Sequence, residues 1–209
     1  MIKHLITVKK RFKKIILDGN SVKRGKMVMT SFEFVLGTSG LAILFALIMG
    51  IFVVRQDRGT PKMIEISKAI HEGATAFLSR QYKTVAIFTI VVAVLLYFAL
   101  GQVATISFII GAILSALAGY VGMHISIRAN VRTAKAAEKG FAHSLNTAFR
   151  GGAVTGFAVV GLGLLGVAGL FFYYNDVNMI IGLGFGASLV SLFARVGGGI
   201  FTKAADVGA

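Results

Sequence analysis

Thr84-Val-Ala-Ile-Phe-Thr-Ile-Val-Val-Ala-Val-Leu-Leu-Tyr-Phe-Ala-Leu-Gly101-Gln102-Val-Ala-Thr105-Ile-Ser-Phe-Ile-Ile-Gly-Ala-Ile-Leu-Ser-Ala-Leu-Ala-Gly-Tyr-Val-Gly-Met-His-Ile-Ser-Ile127 is a run of 44 residues without a formal charge. At 1.5 Å per residue it would make about 66 Å of helix. A bilayer's hydrocarbon core is about 30 Å thick and takes roughly 20 residues to cross. The run therefore holds two spans, and the natural break is Gly101-Gln102, where the apolar sequence pauses before Thr105. The same criterion finds a span from Phe34 to Val54, another from Gly151 to Asn175, and a fifth from Val177 to about Ala194. The expected fold is an all-α, polytopic transmembrane helical bundle of about five spans.

Composition agrees. Of 209 residues 56% are apolar and 14% charged, against about a quarter charged in a soluble domain. Mean hydropathy is +0.82. With no cysteine in the chain, disulfide scaffolds, thiolate metal sites and thiol catalysis are excluded. The four histidines, His4, His71, His124 and His143, show no metal-ligand spacing.

The charge balance is lopsided, 22 Lys+Arg against 8 Asp+Glu, and its distribution gives an orientation. Segment 55–83 carries Arg55, Arg58, Lys62, Lys68, Arg80 and Lys83, and segment 128–150 carries Arg128, Arg132, Lys135, Lys139 and Arg150. The connections at Gly101-Gln102 and at 173–178 carry no Lys or Arg. Alternating rich and empty connections follow the positive-inside rule, so the rich side is expected to be cytoplasmic. Arg128, Arg132, Lys135 and Lys139 recur at three- and four-residue steps and share a helical stripe. That stripe reads as a solvated extension of the third helix, or as a collar that attracts anions.

Residues 1–26, with nine Lys/Arg and one Asp, run against this orientation. Met27 and Met29 stand just before the first span, and we expect 1–28 to be a basic extension outside the fold, with the membrane part beginning at 29. The rival reading is a basic arm held at anionic lipid. Nucleic-acid binding is not expected, because the leader's only aromatic residue is Phe12.

Glycines crowd the fourth and fifth spans. The four-residue spacing of Gly152/Gly156 and of Gly182/Gly186 suggests helix faces that approach closely in lipid. Gly182-Leu-Gly184-Phe-Gly186 superficially matches a nucleotide-binding fingerprint, but that motif needs a preceding strand.

The chemistry lies in Arg195-Val-Gly-Gly-Gly-Ile-Phe-Thr-Lys203-Ala-Ala-Asp206-Val-Gly-Ala209. On a helix Lys203 and Asp206 share a face. Arg195 and Asp206, eleven residues apart, lie on one stripe about 16 Å apart. An arginine at the bilayer boundary either snorkels or marks an ion path. Lys203 suits a phosphate as a point charge, and Asp206 suits Mg²⁺, commonly held by one or two carboxylates plus substrate phosphates. From the residues alone, this edge is equally an amphipathic helix end.

The same segment resembles the pyrophosphate-binding segment of the membrane-integral, ion-pumping pyrophosphatases. Supporting matches are Glu72-Gly-Ala-Thr-Ala-Phe-Leu-Ser-Arg-Gln-Tyr82 and Ala148-Phe-Arg-Gly-Gly-Ala-Val-Thr-Gly156. The likeness runs over about residues 30–209. It implies a larger helical bundle, usually a homodimer, in a bacterial or archaeal inner membrane. That assembly hydrolyses cytoplasmic pyrophosphate and moves H⁺ or Na⁺ outward. In the matching positions Lys203 would contact pyrophosphate, Asp206 would bind Mg²⁺, and Arg195 would lie in the ion-coupling region. The family pattern continues past Ala209 with further acidic helices, so the chain is expected to be an N-terminal fragment, inactive alone. The alternative is a complete small membrane protein acting as an interaction or channel subunit.

Overall fold

The computed structural model describes residues 19–208, all of them in five long helices or their short connections. These are α1 (Gly19–Arg55), α2 (Pro61–Leu100), α3 (Gln102–Ala137), α4 (Phe141–Tyr174) and α5 (Asn178–Gly208). Each contains a stretch long and apolar enough to cross a membrane, that of α1 being Ser31–Arg55. This is the all-α membrane bundle that the charge-free run demands. Of the expected basic extension, residues 1–18 lie outside the described residues, and the backbone from Gly19 runs helically into the first span.

The connections are shorter than the charge map suggested. Segments 55–83 and 128–150 are mostly helix, so their basic residues ride on helical extensions and not on loops. Gln56–Thr60 turns through Gly59 at φ 81°, with the Asp57 carboxylate accepting from the Gly59 amide at 2.9 Å. The Thr60 hydroxyl then accepts from the Met63 amide at 3.4 Å, and Pro61, the only proline, opens α2. Proline costs nothing there, because its missing N–H has no helical partner. Between α2 and α3 stands Gly101 alone, at φ 84° and ψ −179°. A side chain would oppose that left-handed backbone, so one glycine divides the 44-residue run. Asn175 closes α4 in the αL conformation, φ 50°.

Side-chain contacts fix the register. α4 runs antiparallel to α3, with Gly151 against Ala129 and Gly166 against Leu114. α1 runs antiparallel to α4, with Phe32 stacked on Phe172 and Phe45 against Phe157. α2 meets α3 through the Tyr82 hydroxyl, which donates to the Ala116 carbonyl at 2.9 Å. α5 lies parallel to α3, Gly182 resting on Ser107 and Gly186 on Phe108. All the basic-rich connections and the end of α5 therefore share one end of the bundle.

Glycine packing holds the helices at these distances. A Cβ at Gly111 would run into the Leu183 carbonyl, and one at Gly186 into the Phe108 carbonyl. The expectation for Gly182/Gly186 is thus met, but that for Gly152/Gly156 is not: no described residue comes within 4 Å of where their Cβ atoms would be. Polar groups add to the packing. Ser39, fully buried, donates to the Gly161 carbonyl at 2.6 Å, as expected where lipid offers no competing partner.

Substituting Gly186→Leu should force α3 and α5 apart and cost about 1–3 kcal/mol of bundle stability. Gly152→Ala should be neutral or stabilising by up to about 1 kcal/mol through helix propensity. Thermal unfolding followed by circular dichroism in detergent distinguishes the two.

Candidate functional site

The last four turns of α5 carry the residues that the sequence singled out, and the helix is continuous from Asn178 through Gly208. One side of α5 packs: Leu183, Gly186 and Val190 are buried, and Phe193 and Phe201 meet Phe88 and Phe77 of α2. Arg195 is nine residues beyond Gly186, two and a half turns, which places it on the opposite side. It is exposed and makes no ion pair or hydrogen bond among the described residues. Lys203 and Asp206 are exposed as well, their side chains 82% and 67% accessible.

Lys203 Nζ donates to Asp206 Oδ2 at 3.4 Å, a long hydrogen bond within one helix face. Exposed pairs of this kind contribute little to stability. A phosphate or a metal ion could therefore separate the two groups at small cost. No other acid joins them: the described residues hold no cluster of three or more Asp, Glu, His or Cys that could hold a metal. Asp206 offers at most one hard ligand, and Mg²⁺ requires six oxygens in near-octahedral array. The described residues do not by themselves make a magnesium site.

One side chain of α2, Gln81, holds this stretch of helix, and the sequence pattern gave it no role of its own. Gln81 Nε2 donates to the Phe193 carbonyl at 3.0 Å. A Cβ at Gly197 would come 2.8 Å from that same Nε2. The first residue of the triple glycine is thus small because Gln81 occupies the space beside it, whereas Gly198 and Gly199 face open space. The signal was present in Gln81 of the Glu72–Tyr82 segment, a polar residue three positions before the charge-free run.

Arg132 corrects the reading of a solvated basic stripe. Arg128 and Lys139 are exposed, but Arg132 is only 3% accessible. Its guanidinium donates to the carbonyls of Val54 at 2.7 Å, Gln56 at 3.2 Å and Arg128. The rigid fork of an arginine here serves the unpaired carbonyls at the end of α1, where the helix dipole also favours a cation. The three-four spacing located the stripe correctly and could not tell which member faced α1.

The geometry defines an integral membrane protein that presents an uncovered cation-and-carboxylate edge at the end of the bundle where its basic residues collect. The family model for inorganic H⁺ pyrophosphatase matches residues 40–209. The chain belongs to that family. A K⁺-insensitive pyrophosphate-energized proton pump of Methanosarcina mazei is 53% identical over 171 residues, 81% of this chain and 26% of that protein. A K⁺-insensitive pyrophosphate-energized proton pump of Moorella thermoacetica is 50% identical over 177 residues, with the same shares covered. A protein of Clostridium tetani, provisionally named a K⁺-stimulated pyrophosphate-energized sodium pump, is 48% identical over 170 residues, 81% of this chain and 25% of that protein. The chain spans about a quarter of the length of these curated relatives.

Replacing Arg132 by Met should leave the Val54 and Gln56 carbonyls without their donor and cost about 1–3 kcal/mol. Amide hydrogen exchange should accelerate at residues 56–64 while the centre of α3 keeps its protection.

Proposed function

We propose that this chain is the N-terminal membrane part of a pyrophosphate-energised ion pump, which hydrolyses cytoplasmic pyrophosphate and moves H⁺ or Na⁺ outward across a bacterial or archaeal inner membrane. The observation that carries the reading is the charged side of α5: Arg195, Lys203 and Asp206 stand exposed opposite the face that packs on α2 and α3. Family membership and the activities for which the relatives are named support it.

In this reading Lys203 contacts a pyrophosphate oxygen, releasing Asp206 to give one carboxylate to a magnesium ion. The remaining ligands are substrate phosphates, water and acids supplied by further polypeptide. Arg195, about 12 Å deeper along the helix, sits between the site and the membrane interior and belongs to the coupling of hydrolysis to ion movement. A homodimer follows from the family likeness. The basic end of the bundle is the cytoplasmic one, as the positive-inside rule requires.

In a pump that carries this segment, Lys203→Ala should raise KM for pyrophosphate at least tenfold, a lost charge-assisted contact of about 1.5–3 kcal/mol. Asp206→Ala should abolish Mg²⁺-dependent turnover, and Arg195→Ala should lower transport per pyrophosphate hydrolysed more than it changes KM. Wild-type kinetics and transport in the Lys203/Asp206 double variant would contradict the assignment. The 209-residue chain by itself should release no phosphate from Mg²⁺-pyrophosphate, because one carboxylate cannot assemble the metal site.

A further inference from the structure

Two concavities lie end to end in the seam between α1, α3 and α4. The first is an apolar groove of about 470 Å³, within the range of about 300–1,000 Å³ typical of small-molecule sites. Its walls include Ala46 and Gly50 of α1, Leu117 and Ile125 of α3, and Val154 and Ala158 of α4, with Arg55 at one end. The second, about 250 Å³, is lined by the cationic or polar side chains of Arg132, Lys135, Lys139, His143 and Arg150, with Asp57 the one carboxylate among its described residues.

Helix geometry joins them. Val121 of the groove and Arg132 of the basin are eleven residues apart on α3, three turns plus about 20°. Thr147 of the basin and Ala158 of the groove stand in the same relation on α4. Each helix thus contributes one continuous stripe, apolar towards the bundle's middle and cationic at its basic end. Part of that charge is already used. Lys135 pairs with Glu138, and Arg132 holds the α1 carbonyls. Lys139 and Arg150 have no acidic partner among the described residues, and Arg150 lies over the Phe52 ring of α1, 5.9 Å from its centroid.

The shape selects the occupant. Between the levels of Ile43 and Val54 the groove runs about 16 Å, and 470 Å³ spread over that length accommodates a hydrocarbon chain but falls far short of a helix, whose diameter with side chains is about 10–12 Å. A strongly basic basin at the membrane boundary attracts an anionic headgroup. We propose that this seam binds one anionic phospholipid from the leaflet at the basic end, its phosphate against Lys139 and Arg150 and one acyl chain along the groove. The site is separate from the charged edge of α5, and its occupancy does not depend on pyrophosphate chemistry.

Native mass spectrometry of the purified chain in mild detergent tests this, with phosphatidylglycerol, phosphatidylcholine of the same acyl chains, and inorganic phosphate as probes. The expected result is one phosphatidylglycerol retained per chain, with at least tenfold preference over phosphatidylcholine. Lys139→Gln with Arg150→Gln should weaken retention about 30-fold, from roughly 1 kcal/mol per basic residue. Leu117→Trp, at the half-exposed lip of the groove, should weaken it too, with helicity by circular dichroism unchanged in both variants. Equal retention of the two lipids, no retained lipid, or retention unaffected by both variants would overturn the proposal. So would displacement of the lipid by millimolar inorganic phosphate, which would make the basin a free-anion pocket.

Discussion

The contact of α5 with α3 sets the position of the candidate site in this chain. Lipid supplies no hydrophobic drive between helices, so association depends on close packing. Gly111, Gly182 and Gly186 let backbone meet backbone, each where a Cβ would collide with the opposite helix. That contact fixes the rotation of α5 as well as its distance. Half a turn away, Arg195 and Asp206 are carried to the exposed side of the helix.

Polar clamps then set the height of the helices. Gln81 holds α5 at the Phe193 carbonyl, Tyr82 holds α3 at Ala116, and Ser39 holds α4 at Gly161. Arg132 ties the end of α1 to α3. The described residues leave no buried side-chain polar atom without a partner, as a low-dielectric setting requires. The charges of the α5 edge are loosely held, Lys203 and Asp206 by a long, exposed bond to each other. A rigid scaffold with loosely held charges is compatible with the ligand-binding role proposed for this edge.

The spans and the glycine break between α2 and α3 could be read from the chain because hydrocarbon thickness is a severe constraint on sequence. The direction of α5 was legible for the same reason: charge-rich and charge-free ends alternate with each crossing. Contact partners were not legible. Gly152/Gly156 and Gly182/Gly186 have identical spacing, yet only the second pair meets a helix, because spacing identifies a face and says nothing of a neighbour. Arg132 was indistinguishable from Arg128 until α1 was placed beside α3. At the candidate site, the residues and their shared edge were visible, whereas the Gln81 clamp that steadies them comes from 112 positions away.

Sidedness tests the central claim most directly, namely that the charged edge of α5 stands at the basic end of the bundle. The chain has no cysteine, so single thiols at positions 67, 175 and 203 can be probed in sealed vesicles with a membrane-impermeant maleimide. The account predicts that Lys203→Cys reacts from the same side as Ser67→Cys and from the side opposite to Asn175→Cys. Reaction of Lys203→Cys from the side that labels Asn175→Cys would contradict it.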